Sequence, residues 1–145
     1  MRNCLIILLM LAFFSGCAGK PAGSASLYDY KTQYVGDNSK VSHIAGAMQY
    51  PEGAACESVK IQSEKEPYGL TVYLSGTEVS DASAYRKNAM MCFALIDNLD
   101  ELKYQSGKSG AILAEFRRDE VEQEQNIKCS DIGRSKENFE AFQKQ

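Results

Sequence analysis

Apolar residues recur at helical spacing in one long stretch, residues 81–102. Tyr85, Ala89, Cys92, Phe93 and Ile96 fall at i, i+4, i+7, i+8 and i+11, one face of a 3.6-residue helix. Ser80 or Asp81 can cap its start, because a short side-chain oxygen accepts from the first free backbone N–H groups. Leu99 carries the apolar face past the helix end, where Asp97 and Asn98 stand. On either side the pattern changes to period two. Val59 and Ile61 alternate with Lys60 and Gln62, and Leu70, Val72 and Leu74 alternate with Thr71 and Tyr73. Glu66-Pro67-Tyr68-Gly69 between them reads as a β-turn with Pro at i+1. Downstream, Leu102 and Tyr104 alternate with Lys103 and Gln105. After a Gly/Ser loop, Ile112, Ala114 and Phe116 alternate with Leu113, Glu115 and Arg117. The order hairpin, helix, hairpin predicts an α+β fold: a four-stranded antiparallel sheet with helices packed on one face.

Shorter elements flank this unit. Residues 27–34 predict a single helical turn. A turn at 35–39 leads into a short helix with Val41, Ile44, Ala45 and Met48 at helical spacing, ended by Pro51 and Gly53. Asp119 can start a charged helix whose one apolar residue is Val121, and Ser135 can cap a last helix with Phe139 and Phe142 on one face. Met90 and Met91 do not both fit the central stripe. That leaves a choice between a core role and an exposed contact patch with Leu113.

The N-terminus has another character. Arg2 precedes an apolar run of residues 5–14, too short for a permanent membrane span, so residues 1–16 read as a targeting segment. Phe14-Ser15-Gly16-Cys17 resembles the lipobox of bacterial lipoproteins, with Phe where Leu is usual. The resemblance implies cleavage before Cys17, which then carries diacylglycerol and palmitate chains. The alternative is an ordinary secretory signal and a free Cys17. Residues 17–26 form the lipidated cysteine and a Gly/Ala/Ser/Pro tether, of about 16 Å r.m.s. reach by composition. Residues 27–145 form a single domain on the extracytoplasmic face of the cell membrane.

Nineteen acidic and sixteen basic residues give a net charge of −3, which offers nucleic acid no basic surface. Cys92 lies on the apolar stripe, whereas Cys56 and Cys129 either pair as a disulfide or remain separate thiols. One histidine, His43, and no cysteine cluster predict no metal and no cofactor. No nucleophile has an evident base beside it, so no catalytic residue is assigned. Two polar corners stand out. Gly36, Asp37 and Asn38 offer a loop of donors and oxygens, and Asp97 and Asn98 cluster oxygen-bearing side chains at a helix end. They are candidate binding residues; helix caps and solvated turns are the plainer reading.

Tyr34-Val35-Gly36-Asp37-Asn38-Ser39-Lys40-Val41, Glu66-Pro67-Tyr68-Gly69-Leu70-Thr71-Val72 and residues 93–102, in that order, resemble the extracytoplasmic family catalogued as domain of unknown function 4825, common in Gram-positive bacteria. The likeness spans residues 27–145. Members occur as small lipoproteins, and similar domains follow a membrane-embedded metallopeptidase of the antibiotic-sensor type. This chain lacks the peptidase portion and its zinc motif. The resemblance implies a sensing or protein-contact role outside the membrane and supplies no catalytic residue. The expectation is therefore a non-catalytic domain that binds a small ligand or envelope protein through a sheet face or the two corners. The rivals are an envelope enzyme with an unrecognised active site and a structural spacer.

Overall fold

The computed structural model describes residues 25–145. Residues 1–16, read as a targeting segment, Cys17 and most of the expected tether lie outside the described residues. The chain runs through a 3-10 turn, Leu27–Tyr30, helix α1 (Asn38–Ala47), strands β1 (Ala55–Gln62) and β2 (Gly69–Ser75), and helix α2 (Ser83–Leu95). Strands β3 (Glu101–Ser106) and β4 (Ile112–Arg117) follow, then helices α3 (Arg118–Gln125), α4 (Cys129–Ile132) and α5 (Lys136–Gln143).

The fold is α+β with one four-stranded sheet in the order β1-β2-β3-β4. It is mixed, and not antiparallel throughout as the sequence predicts. The hairpins β1/β2 and β3/β4 are antiparallel, but β2 and β3 run parallel, pairing Gly69 with Glu101 through Leu74 with Ser106. The cause is the connection. Between the hairpins the chain crosses back along the sheet as α2, so β3 enters from the same end as β2.

The strands turn most of their apolar residues to one face of the sheet, where α1 packs against β1 and α2 against β4. Leu70, Val72, Leu74, Leu102 and Tyr104 are at most 2% exposed. On β4 the expected parity fails at two positions, Ile112 and Leu113. Tyr104 pairs with Ala114 and Gln105 with Ile112, leaving Leu113 as an extra residue. This bulge turns Leu113 inward and leaves Ile112 exposed.

Helix α2 is buried all round from Asn88 to Leu95, beyond the single stripe expected. It lies between the sheet and an outer layer of helices, of which α4 packs most closely on it. Met90 and Met91 are both in the core with Leu113, so the exposed patch is not formed. A Cβ on Gly133 would come within 2.1 Å of the Ala94 carbonyl, so glycine lets α4 approach α2. Phe139 of α5 is fully buried beneath the same layer. Asp81 caps α2 from outside, accepting from Ser83 N (2.9 Å) and Ser83 Oγ (2.8 Å).

The link between β1 and β2 occupies residues 63–68 with a cis Glu66–Pro67 peptide, and Gly69 already belongs to β2. Cys56, Cys92 and Cys129 are free thiols, so the Cys56–Cys129 disulfide left open by the sequence is not formed. Cys56 sits on the outermost strand β1, and Cys129 opens α4 on the other side of α2. Among the described residues no helix is long and apolar enough to cross a membrane.

Candidate functional site

The two polar corners picked out in the sequence meet in space. Thr32 forms a parallel bridge with Ile96, donating from its N to Leu95 O (2.8 Å) and accepting at its carbonyl from Asp97 N (3.0 Å). Asn98 Oδ1 accepts from the N–H of Val35, a fully buried residue, at 2.6 Å. Asp37 is the N-cap of α1, its Oδ1 accepting from Lys40 N at 3.3 Å, while Asn38 Oδ1 accepts from Ser42 Oγ at 3.2 Å. Asp97 pairs with Lys31, whose ammonium also donates to Ala94 O at 3.1 Å. Gly36 has ordinary backbone, and an added Cβ would meet Ser63 at no less than 3.5 Å.

Arg118, which no sequence motif marks, locks the corner from below. Its guanidinium donates from Nε to Leu99 O (2.8 Å) and from one terminal nitrogen to Ile96 O (2.8 Å) and Asp97 O (3.2 Å). It also sits 5.2 Å from the Phe93 ring centroid, within cation–π range. Asp100 completes the joint by accepting from Tyr68 N at 2.7 Å. The corner's side chains thus close the chain upon itself, supplying caps and acceptors that buried backbone requires.

Open polar chemistry lies instead on the outer face of the sheet, which no helix among the described residues covers. The strand register lays its side chains in rows. Lys60, Thr71, Lys103 and Glu115 stand side by side in one row, and Gln62, Gly69, Glu101 and Arg117 in the next. Gly69 has no side chain, so the second row is interrupted at β2. A depression of about 510 Å³ opens there, walled by Lys60, Gln62, Glu101, Lys103, Arg117 and Glu120. Lys103 pairs with Glu115 (2.6 Å) and Arg117 with Glu101 (3.3 Å), and among the described residues Lys60 makes no ion pair. The face can therefore offer one unengaged ammonium, exchangeable ion pairs and amide and hydroxyl groups to a polar partner. A shallower hollow of about 440 Å³ beside it, between Pro67 and Asp119, shares Arg117.

The strongly perturbed groups are elsewhere, in the core. Burial pushes the Cys92 thiol up to about 12 and the Cys129 thiol up to about 11, and raises Tyr50 and Tyr104. Such thiols stay protonated and unreactive at neutral pH. The Tyr104 ring stacks on that of Tyr85 with centroids 5.0 Å apart, and its buried hydroxyl has no hydrogen-bond partner among the described residues. His43 stacks on Tyr30 with ring centroids 3.5 Å apart. Among the described residues no group of three His, Cys, Asp or Glu side chains is placed to hold a metal ion.

Sequence reasoning placed the polar alternation of β1, β2 and β3 correctly, and that of β4 from Ala114 onward, but did not assemble Lys60, Gly69, Lys103 and Arg117 into one surface. The signal was there as period-two spacing; the missing step was the parallel pairing of β2 and β3. Neither a curated protein nor a solved structure matches the chain. Residues 27–119 match the family described as Domain of unknown function (DUF4825), from the 3-10 turn through the sheet and into the start of α3. That match spans more than half of the sequence, and the chain belongs to this family.

Proposed function

We propose that this chain is a binding domain, displayed on the extracytoplasmic face of the cell membrane by acyl chains on Cys17, that recognises a polar partner with its open sheet face. The observation that carries the reading is the contrast between a filled core and an uncovered face whose polar rows part at Gly69. The partner is an envelope protein segment or a small polar ligand, held by hydrogen bonds and charge pairs at the depression and not chemically altered. The Phe14-Ser15-Gly16-Cys17 segment supports the anchoring part. Multiple acyl chains suffice for stable attachment, at about 0.8 kcal/mol per buried methylene.

Two experiments test the two halves. Cys17→Ala should release the protein from membranes; membrane association that persists in the variant and resists globomycin overturns the anchor. A photo-crosslinking residue in place of Thr71, on the depression, should give a discrete adduct in intact cells. The same residue in place of Ser42, on α1, should not. Equal labelling from both positions, or an adduct that survives Lys60→Glu with Lys103→Glu, rejects the sheet face as the binding surface.

A further inference from the structure

We infer that the contact between the 3-10 turn Leu27–Tyr30 and α5 orients the anchored domain, holding the α5 side toward the lipid headgroups and the open sheet face away from them. This rests on the reading of Cys17 as the lipid anchor. Three layers stack in the domain: the sheet, then α1 against β1 and α2 beside it, then α4 and α5, with the 3-10 turn held against both α1 and α5. With layers spaced by about 10 Å, the outermost helices and the sheet are separated by on the order of 20 Å.

The chain enters the domain at the outermost layer and is fastened there. Ser26 Oγ donates to Glu140 at 2.8 Å, Lys136 donates to Asp29 at 3.0 Å, and the Tyr28 hydroxyl donates to Gly133 O at 3.2 Å. The exposed ion pair contributes little by itself. The hold comes chiefly from Leu27, buried in the core, and from Tyr28, whose ring lies 6.0 Å from that of the buried Phe139.

A spacer with the composition of residues 18–26 has an r.m.s. reach of about 16 Å, less than the depth of the domain, and approaches about 30 Å only when fully extended. The anchor therefore pulls on the side of the domain where the 3-10 turn meets α5 and α1, and turning the sheet toward the bilayer would stretch the spacer toward its full extension around the domain. The α5 surface suits a headgroup region and not the hydrocarbon: Lys136, Glu137 and Lys144 are exposed there and charged. The partner this surface fits is the bilayer to which the chain is anchored. The sheet depression is left free for partners approaching from outside.

The full chain, expressed with its targeting segment and purified with its acyl groups verified by mass spectrometry, should be placed in phosphatidylcholine–phosphatidylglycerol vesicles. A bimane probe attached after Glu137→Cys, on α5, or Lys60→Cys, on the sheet face, in a Cys56→Ser background, reports distance from headgroup-nitroxide lipids. Quenching at position 137 should be at least threefold that at position 60. Weakening the fastening with Leu27→Ser and Asp29→Ala should bring the ratio toward one. Equal quenching in the chain with its native fastening, or stronger quenching at position 60, overturns the orientation while leaving the anchor intact. Absence of acyl mass on Cys17 overturns the anchor and the orientation with it.

Discussion

The Asp37–Asn98 corner and the outer sheet face are both polar, charged and close to the surface, yet their side chains have opposite commitments. At the corner the oxygens of Asp37, Asn98 and Asp100 accept from the backbone of Lys40, Val35 and Tyr68, and Arg118 donates to three carbonyls. On the sheet face Lys103, Glu115, Glu101 and Arg117 engage one another, and Lys60 has no ion partner among the described residues. Polar groups bonded to backbone hold a fold together, because removing one strands a buried donor or acceptor at a cost of about 1–3 kcal/mol. Polar groups bonded to other exposed side chains exchange readily with water or a ligand, since such pairs contribute about 0–1 kcal/mol. The difference supports the proposal that the face, and not the corner, receives a partner, since its groups can exchange without unfolding anything.

The largest test of that distinction is Arg118→Ala. It removes three charge-assisted hydrogen bonds and the contact over Phe93 at one stroke, for an expected loss of about 3 kcal/mol. Thermal denaturation should show Tm falling by roughly 10 °C. Arg118→Lys should recover little, because one ammonium cannot reach the carbonyls of both Ile96 and Leu99 while lying over the ring. Next is Asn98→Ala, which strips the acceptor from the buried Val35 N–H at an expected cost of about 2 kcal/mol. If Asn98 instead served a ligand, Tm would hold and partner crosslinking from the sheet face or the corner would fall.

Two smaller effects follow. Asp37→Ala should cost about 1 kcal/mol as the loss of an N-cap, and Asp37→Ser should restore most of it. Glu122 supplies a pH test of the same principle. Its burial opposes the charge, but Lys128 Nζ at 2.8 Å and Cys129 N at 2.9 Å outweigh it and hold the carboxyl below the usual carboxylate range. A carboxyl depressed in the folded state stabilises above its unfolded value of about 4.3 and loses that contribution as pH falls through its folded value. Glu122→Gln should therefore lower Tm by about 3 °C at pH 7, the scale of one hydrogen bond, and the gap to the parent chain should close toward pH 3.

Legibility in the sequence followed the range of the interactions. Local signals read through: Asp37 and Ser135 cap the helices they were expected to cap, and the alternation of β1, β2 and β3 is the alternation of the sheet. Non-local geometry did not. The parallel pairing of β2 with β3 depends on α2 crossing the sheet, which the period of α2 alone cannot specify. The burial of α2 beyond its single stripe depends on α4 and α5, which pack on it and arrive later in the chain. Of these, the four-residue α4 was too short to show a period. The bulge at Leu113 reversed one side chain that strict alternation had assigned outward. The Asp37 and Asn98 corners were visible because they are dense in oxygen atoms, the same property that makes them good structural caps. The sheet depression was invisible because its defining feature is the missing side chain of Gly69, set between Gln62 and Glu101 by pairings with two different strands.

The smallest expected stability effect is therefore the most informative. Lys60→Ala with Lys103→Ala removes one unpaired ammonium and one exposed ion pair, so the free energy of folding should move by less than about 0.5 kcal/mol. Circular dichroism and Tm should match the parent chain. Partner capture from Thr71 should nevertheless weaken, because both ammonium groups border the depression. Gly69→Ala approaches the same point from the steric side. An added Cβ would meet Gln62 Cβ at 3.7 Å and Glu101 O at 4.0 Å, both ordinary contacts, so the strand accepts it. The gap in the row would then be partly filled. A folded Gly69→Ala protein with unchanged capture would show that the partner lies elsewhere on the sheet. Reduced capture at unchanged Tm would separate the binding surface from the residues that hold the fold together.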